Sequence, residues 1–235
     1  MIKNKQNHSV YWVFTLLLAT SSLFFACQNT NEPSKQKPPT KIKTSDVPSL
    51  GKADNFTIVG SKSIGAITAT TNEASLIQIY GSQNVKRDSL HVGEGLYTPS
   101  TVVFPDSPKE LNIAWKEGKV FEEIARIVIR RPESIWATQE GITMGSSLTD
   151  VVKANEVDFT LYGFEWDYSG SVASWEGGVL DTKKMGVRFS PTANEAYNNI
   201  TSEERAQIMG DIEVASNNPV LAKLEVKAIQ LFFYF

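Results

Sequence analysis

Cysteine is almost missing from this chain: its 235 residues include one, Cys27. No disulfide can close within the chain, so packing and hydrogen bonds must hold the fold without covalent staples. Histidine is nearly as scarce, with two, and only His91 follows Cys27. Metal sites built from Cys and His are excluded by count. A Ser-His-Asp triad would need partners converging on His91. No nucleophile-elbow pattern stands near it, and His91 reads as a residue of a polar loop. No cofactor signature is present.

Basic clusters are lacking too. Six lysines and two acids precede residue 51, which leaves 17 Lys/Arg against 24 Asp/Glu, a net charge of −7, for residues 51–235. Nucleic acid rewards clustered Lys and Arg, so it is excluded as a partner. Direct docking of an acidic domain on anionic lipid is disfavoured in the same way. A long apolar run is the last absence. Val10 to Ala26 is apolar but interrupted by Thr15, Thr20, Ser21 and Ser22. It falls short of the roughly 20 residues that cross a bilayer comfortably.

What is present begins at the N-terminus. The basic Met1-Ile2-Lys3-Asn4-Lys5 precedes the apolar run, the order of a secretory signal over residues 1–26. Leu23-Phe24-Phe25-Ala26-Cys27 then resembles a lipobox, with Phe24 and Phe25 bulkier than the commonest pattern. The resemblance implies that Cys27 is the lipid attachment site and the first residue of the mature protein, a palmitate-bearing lipoprotein. Each buried methylene contributes about 0.8 kcal/mol, so two or three acyl chains hold where one does not. Gln28 stands where aspartate would retain a lipoprotein at the inner membrane of enteric bacteria. With the polar tail behind it, the segment resembles outer-membrane lipoproteins of Bacteroidota. The location implied is the outer membrane, at its periplasmic face or the cell surface, with the membrane reached through the N-terminal lipid.

Residues 27–50 are rich in Pro, Lys, Ser and Thr and carry no aromatic. Such a stretch cannot bury enough apolar surface to offset its ordering entropy. As a flexible tether it would reach about 27 Å.

Residues 51–235 read as an α+β domain of short helices packed on antiparallel sheet. Phe56–Val59, Thr101–Phe104, Leu111–Trp115, Ala125–Arg130 and Gly186–Ser190 have strand character. Thr70 and Glu73 have capping-box spacing ahead of a helix that ends at Gly81; Ser147 caps a second helix to Asn155; Thr201 and Glu204 open a third, to Met209. A final strand, Leu224–Phe235, shifts phase near Ala228-Ile229, the mark of a bulge. A terminal phenylalanine also resembles the end of a barrel protein, but a closing core strand suits this pattern better. Glycine, short strand, threonine, capped helix and strands recur, which suggests repeats over 56–130 and 135–190, followed by a helix and strands over 200–235. That unit resembles SmpA/OmlA-type lipoproteins and the β-lactamase inhibitor protein, and the resemblance implies fold class only.

Candidate chemistry gathers in one segment. Tyr162, Phe164, Trp166 and Tyr168 share one parity on an expected strand, with Trp175 on the next. The group is either core packing or, at its outer end, a binding face of Trp166, Asp167, Tyr168 and Trp175. Glu165, Asp167 and Glu176 lie near a glycine-rich turn, but the alternating ligands of a calcium loop are missing. Glu165 and Asp167 as a glycosidase pair would need a cleft and a second element. Asp88-Ser89-Leu90 resembles a short O-glycosylation motif. The function expected is non-enzymatic binding, with another envelope protein as partner. The alternatives are glycan or calcium binding, or carboxylate-based glycan hydrolysis.

Overall fold

Short apolar runs broken by glycine and proline give short elements. The computed structural model describes residues 54–93, 95–192 and 194–235. Among them are five helices and twelve strands: β1 (Thr57–Val59), β2 (Ser63–Ile64), α1 (Glu73–Tyr80), β3 (Val85–Gly93), β4 (Leu96–Val103), β5 (Leu111–Trp115), β6 (Ile124–Ile129), β7 (Ala137–Thr138), α2 (Leu148–Asn155), β8 (Thr160–Tyr162), β9 (Val172–Ser174), β10 (Met185–Ser190), α3 (Asn194–Asn198), α4 (Ser202–Ala206), β11 (Glu213–Ala215), α5 (Pro219–Lys223) and β12 (Lys227–Phe233). The class is α+β.

A six-stranded sheet, ordered β10-β12-β6-β5-β4-β3, dominates, flanked by the small sheets β2-β1-β7 and β11-β8-β9. Among the strands of the described residues only β1 and β7 pair in parallel. The sheet β11-β8-β9 meets the main sheet at β10, through the bridge Ser171–Arg188 and the bond from Phe189 N–H to Gly170 O at 2.8 Å. After α1 come four strands of one sheet, β3 to β6; after α2 the strands divide, β8, β9 and β11 forming a small sheet while β10 and β12 join the main one. β6 and β12 pair antiparallel, joining the two parts of the chain in the main sheet.

Alternation decides which face is core. Val187 and Phe189, Leu231 and Phe233, Ile127 and Ile129, and Leu111 and Ile113 all join one cluster with Leu76 of α1 and Leu148 and Val151 of α2. The phase shift expected near Ala228-Ile229 is a register slip: Arg188 faces Gln230 and Phe189 faces Ala228, so Ile229 is the extra residue and is exposed.

Three local expectations are corrected. Helix α1 is capped by Asn72, whose Oδ1 accepts from Ser75 N–H at 2.9 Å, and not by a Thr70–Glu73 box. The Glu73 carboxylate instead turns to β3 and β4, accepting from Arg87 Nη2 at 2.5 Å and Thr101 Oγ1 at 2.9 Å. His91 is not in a loop: it lies on β3 opposite Tyr97 of β4, their rings 5.2 Å apart. Finally, the box of Thr201 and Glu204 forms as expected, but α4 ends at Ala206.

Candidate functional site

The segment with the expected aromatic strand is set by two glycines. β8 stops at Tyr162, and Gly163 presses against the backbone after α4: a Cβ there would sit 2.5 Å from the Gly210 carbonyl. At the other end Gly170 has φ +65°, and a Cβ would meet the Phe189 carbonyl at 2.1 Å. Only glycine fits either position. Between them Phe164 N–H donates to Ile208 O at 2.7 Å, and Gly210 N–H donates to Phe164 O at 3.0 Å. Phe164 is thereby buried, and Glu165 follows in the left-handed region at φ 61°.

This reversal breaks the period of two. Phe164 enters the core, whereas Trp166 and Tyr168 stand 48% and 62% exposed on the turn beyond it. Bonds within the turn fix it: Ser169 N–H to Trp166 O at 2.9 Å, Ser171 N–H to Tyr168 O at 2.8 Å, and Glu165 N–H to Ser169 Oγ at 3.2 Å. The Tyr168 ring leans on Tyr162 at 5.6 Å. Asp167 is exposed between the two aromatics, and its carbonyl accepts from Arg188 Nη2 at 3.2 Å.

Trp175 does not join this group. It is buried, donates Nε1–H to Met185 O at 3.0 Å, and sets its ring edge-on to Phe159 at 5.0 Å. Its indole is a core filler whose one polar atom is satisfied. The candidate binding face therefore reduces to Trp166, Asp167 and Tyr168.

Of the carboxylates singled out in the sequence, Glu165 is engaged within the fold. Glu165 accepts from the Tyr197 hydroxyl at 2.6 Å and lies 3.8 Å from Arg205 Nη1. Burial, with Glu165 adding to it, pushes the Tyr197 hydroxyl up to about 12. Among the described residues no group of three His, Cys, Asp or Glu is placed to hold a metal ion. A cavity of about 400 Å³ lies between α2 and α5, lined in part by Leu148, Val152 and Leu221. Another of about 330 Å³ lies beside Glu140, Asp150 and Lys153. Neither is lined by Glu165, Asp167 or Glu176. Arg188, Tyr197 and Arg205, which position the turn, went unread in the sequence because each contacts it from 21 to 40 residues away, and no local pattern marks such a contact.

Cys27, the signal and the tether lie outside the described residues. Among those described, no helix is long and apolar enough to cross a membrane.

No family model matches the chain, and no curated protein matches it. Among solved structures it is similar to the crystal structure of the uncharacterized protein yfeY from Escherichia coli, with a TM-score of 0.41 and 13% identity over 75% of this chain and 99% of that one.

Proposed function

We propose that the chain is a lipoprotein anchored through Cys27 to the outer membrane, and that its α+β domain binds another envelope protein without catalysing a reaction. The observation that carries the binding reading is the turn of residues 163–170. Large aromatic side chains exposed singly are common on protein surfaces. Two of them held on one hydrogen-bonded turn are a different case. Trp166 and Tyr168 offer a wide contact area with little conformational entropy left to lose on binding, which is the composition of interface hot spots. Asp167 between them supplies one charge to select orientation. The membrane part of the reading rests on the lipobox-like sequence around Cys27.

The test is cross-linking in intact cells, followed by recovery of the tagged, lipidated protein and mass spectrometry, with wild type compared to Trp166→Ala. The expected result is one dominant envelope protein whose yield falls at least tenfold in the variant while the melting temperature is unchanged. Equal recovery from both would overturn the assignment of the turn. Labelling with radioactive palmitate tests the anchor: incorporation into wild type is expected to vanish in Cys27→Ser, and retention there would exclude Cys27 as the attachment site.

A further inference from the structure

Six arginines lie in the described residues, and they divide into two groups. Arg87 is paired with Glu73, Arg131 with Glu110 and Asp106, and Arg205 with Glu165. Arg126, Arg130 and Arg188 have no carboxylate within ion-pair distance among the described residues. In a domain with an excess of acid, three unpaired arginines would be unremarkable if scattered. They are not scattered. Arg126 on β6 and Arg130, the residue that follows it, alternate with the core residues Ile127 and Ile129, and Arg188 alternates with Val187 and Phe189 on β10. All three therefore project from the face of the main sheet that turns away from the core. Lys86 on β3, opposite Val102, shares that face.

Two of these guanidinium groups are held in place by neutral acceptors. Arg188 donates from Nε to Ser171 Oγ at 3.0 Å and from Nη2 to the Asp167 carbonyl at 3.2 Å. Arg130 donates from Nη2 to Asn112 Oδ1 at 3.0 Å, and Asn112 is itself fixed by Glu110 at 3.0 Å. Arg126 lies 5.9 Å from the centre of the Phe232 ring. Burial, and then the nearby charge of Arg126, both push the Arg188 guanidinium below its ordinary value. The positive charge of these three arginines is thus oriented and without an ion-pair partner, while acid reaches the face only through Glu110, behind Asn112, and through Asp88, next to Lys86 at the β3 edge. Between the arginines Phe232, Val128 and Ala114 form, with Leu90, a small apolar cluster separate from the main core.

The spacing selects the occupant. Arg126 and Arg130, on β6 and just past its end, are four residues apart, about 13 Å, and Arg130 and Arg188 are separated by the width of β12, about 10 Å. One small anion would not meet all three without pulling Arg130 and Arg188 off their holders. A bilayer would meet them, but it would also repel a domain of charge −7 over its whole approach. A narrow chain with carboxylates at intervals and apolar side chains between them meets only the favourable face.

We propose that this outer sheet face docks an acidic segment of another protein, its carboxylates taken by Arg126, Arg130 and Arg188 and an apolar side chain seated on Phe232. The inference rests on the reading that the domain binds a protein, and it adds a surface that adjoins the Trp166–Tyr168 turn at Arg188.

The experiment uses the full chain held in nanodiscs of neutral phospholipid and three probes: a labelled peptide alternating glutamate with leucine, the same peptide with glutamine for glutamate, and vesicles of anionic phospholipid. Anisotropy is expected to show saturable binding of the glutamate peptide, at least tenfold weaker for the glutamine peptide and weakened again by added salt. Arg126→Gln/Arg130→Gln should bind at least fivefold more weakly, and Trp166→Ala should bind as wild type does. The reversal Arg126→Glu/Arg130→Glu should instead prefer a lysine–leucine peptide, which a misfolded variant would not do. Unchanged affinity in both double variants overturns the proposal, as does binding of vesicles but not peptide. Loss of peptide binding in Trp166→Ala alone would also overturn it, assigning the acidic ligand to the turn. A cellular partner lost in the arginine variants but kept in Trp166→Ala would sink the turn and leave this face standing.

Discussion

A buried carboxylate is destabilising unless its lone pairs are taken up, and Glu73 shows how that is met here. The Arg87 guanidinium hydrogen-bonded to it holds the acid below its ordinary range against the opposing effect of burial, with Thr101 assisting. Thr101 in turn accepts from Trp115 Nε1 at 3.0 Å, so the charge is tied into β5. Glu110 is similar: burial alone would raise it, but Arg131, Asn112 and the Asp106 N–H together bring it below its usual value. Both acids are more acidic folded than unfolded. Their contribution is present in full above about pH 4.3, the unfolded value for glutamate, and is lost as pH falls through the folded value. The expected outcome is a melting temperature that drops below about pH 4.3 in wild type and drops less steeply in Glu73→Gln. At pH 7 that variant should lose about 1–2 kcal/mol, the lower part of the range for a charged hydrogen bond because Arg87 itself faces solvent. Parallel melting curves from pH 7 to pH 3 for the two proteins would show that Glu73 is not the group responsible.

Helix ends carry the clearest local signals, and one of them is suboptimal. α2 begins with a capping box of Ser147 and Asp150 and ends on Glu156, which adopts the left-handed conformation at φ 67°. That position favours glycine. Glu156→Gly is expected to stabilise the domain by up to about 1 kcal/mol, the strain relieved less the entropy glycine adds to the unfolded chain. Differential scanning calorimetry should show a rise of about 2–3 °C, and a fall would mean that the side chain makes a contact worth more than the strain. Caps of this kind, the alternation of β5 and β6 and the bulge of β12 were all legible in the sequence, because each is written within a few consecutive residues. β3 was not. Its His91 read as loop, and what makes the segment strand is Glu73, fourteen residues before Arg87, together with the pairing to β4. The aromatic turn failed for the same kind of reason. The alternation of Tyr162, Phe164, Trp166 and Tyr168 is intact in the sequence, and the contacts that override it come from Gly210 and Phe189. Trp175 was ambiguous because an indole serves a core or a surface equally well until its N–H has a partner.

At the scale of the whole molecule the governing fact is the position of β12, which lies between β10 and β6. Leu231 pairs with Ile129 and also with Val187, so one strand joins residues a hundred apart to residues forty apart. Removing residues 224–235 would leave two sheet edges lined with buried aliphatic side chains and unpaired backbone groups. A chain ending at Lys223 is therefore expected to show no cooperative thermal transition by circular dichroism, whereas a transition within 5 °C of wild type would mean that each half folds alone. Non-local pairing of this sort also slows folding. The same feature sets a clock. Synthesis runs from the N-terminus, so β3 to β6 are complete long before the strand that joins them to β10. Whatever carries or shields the nascent chain must do so until its last strand has been made, and a protease has that whole interval in which to act.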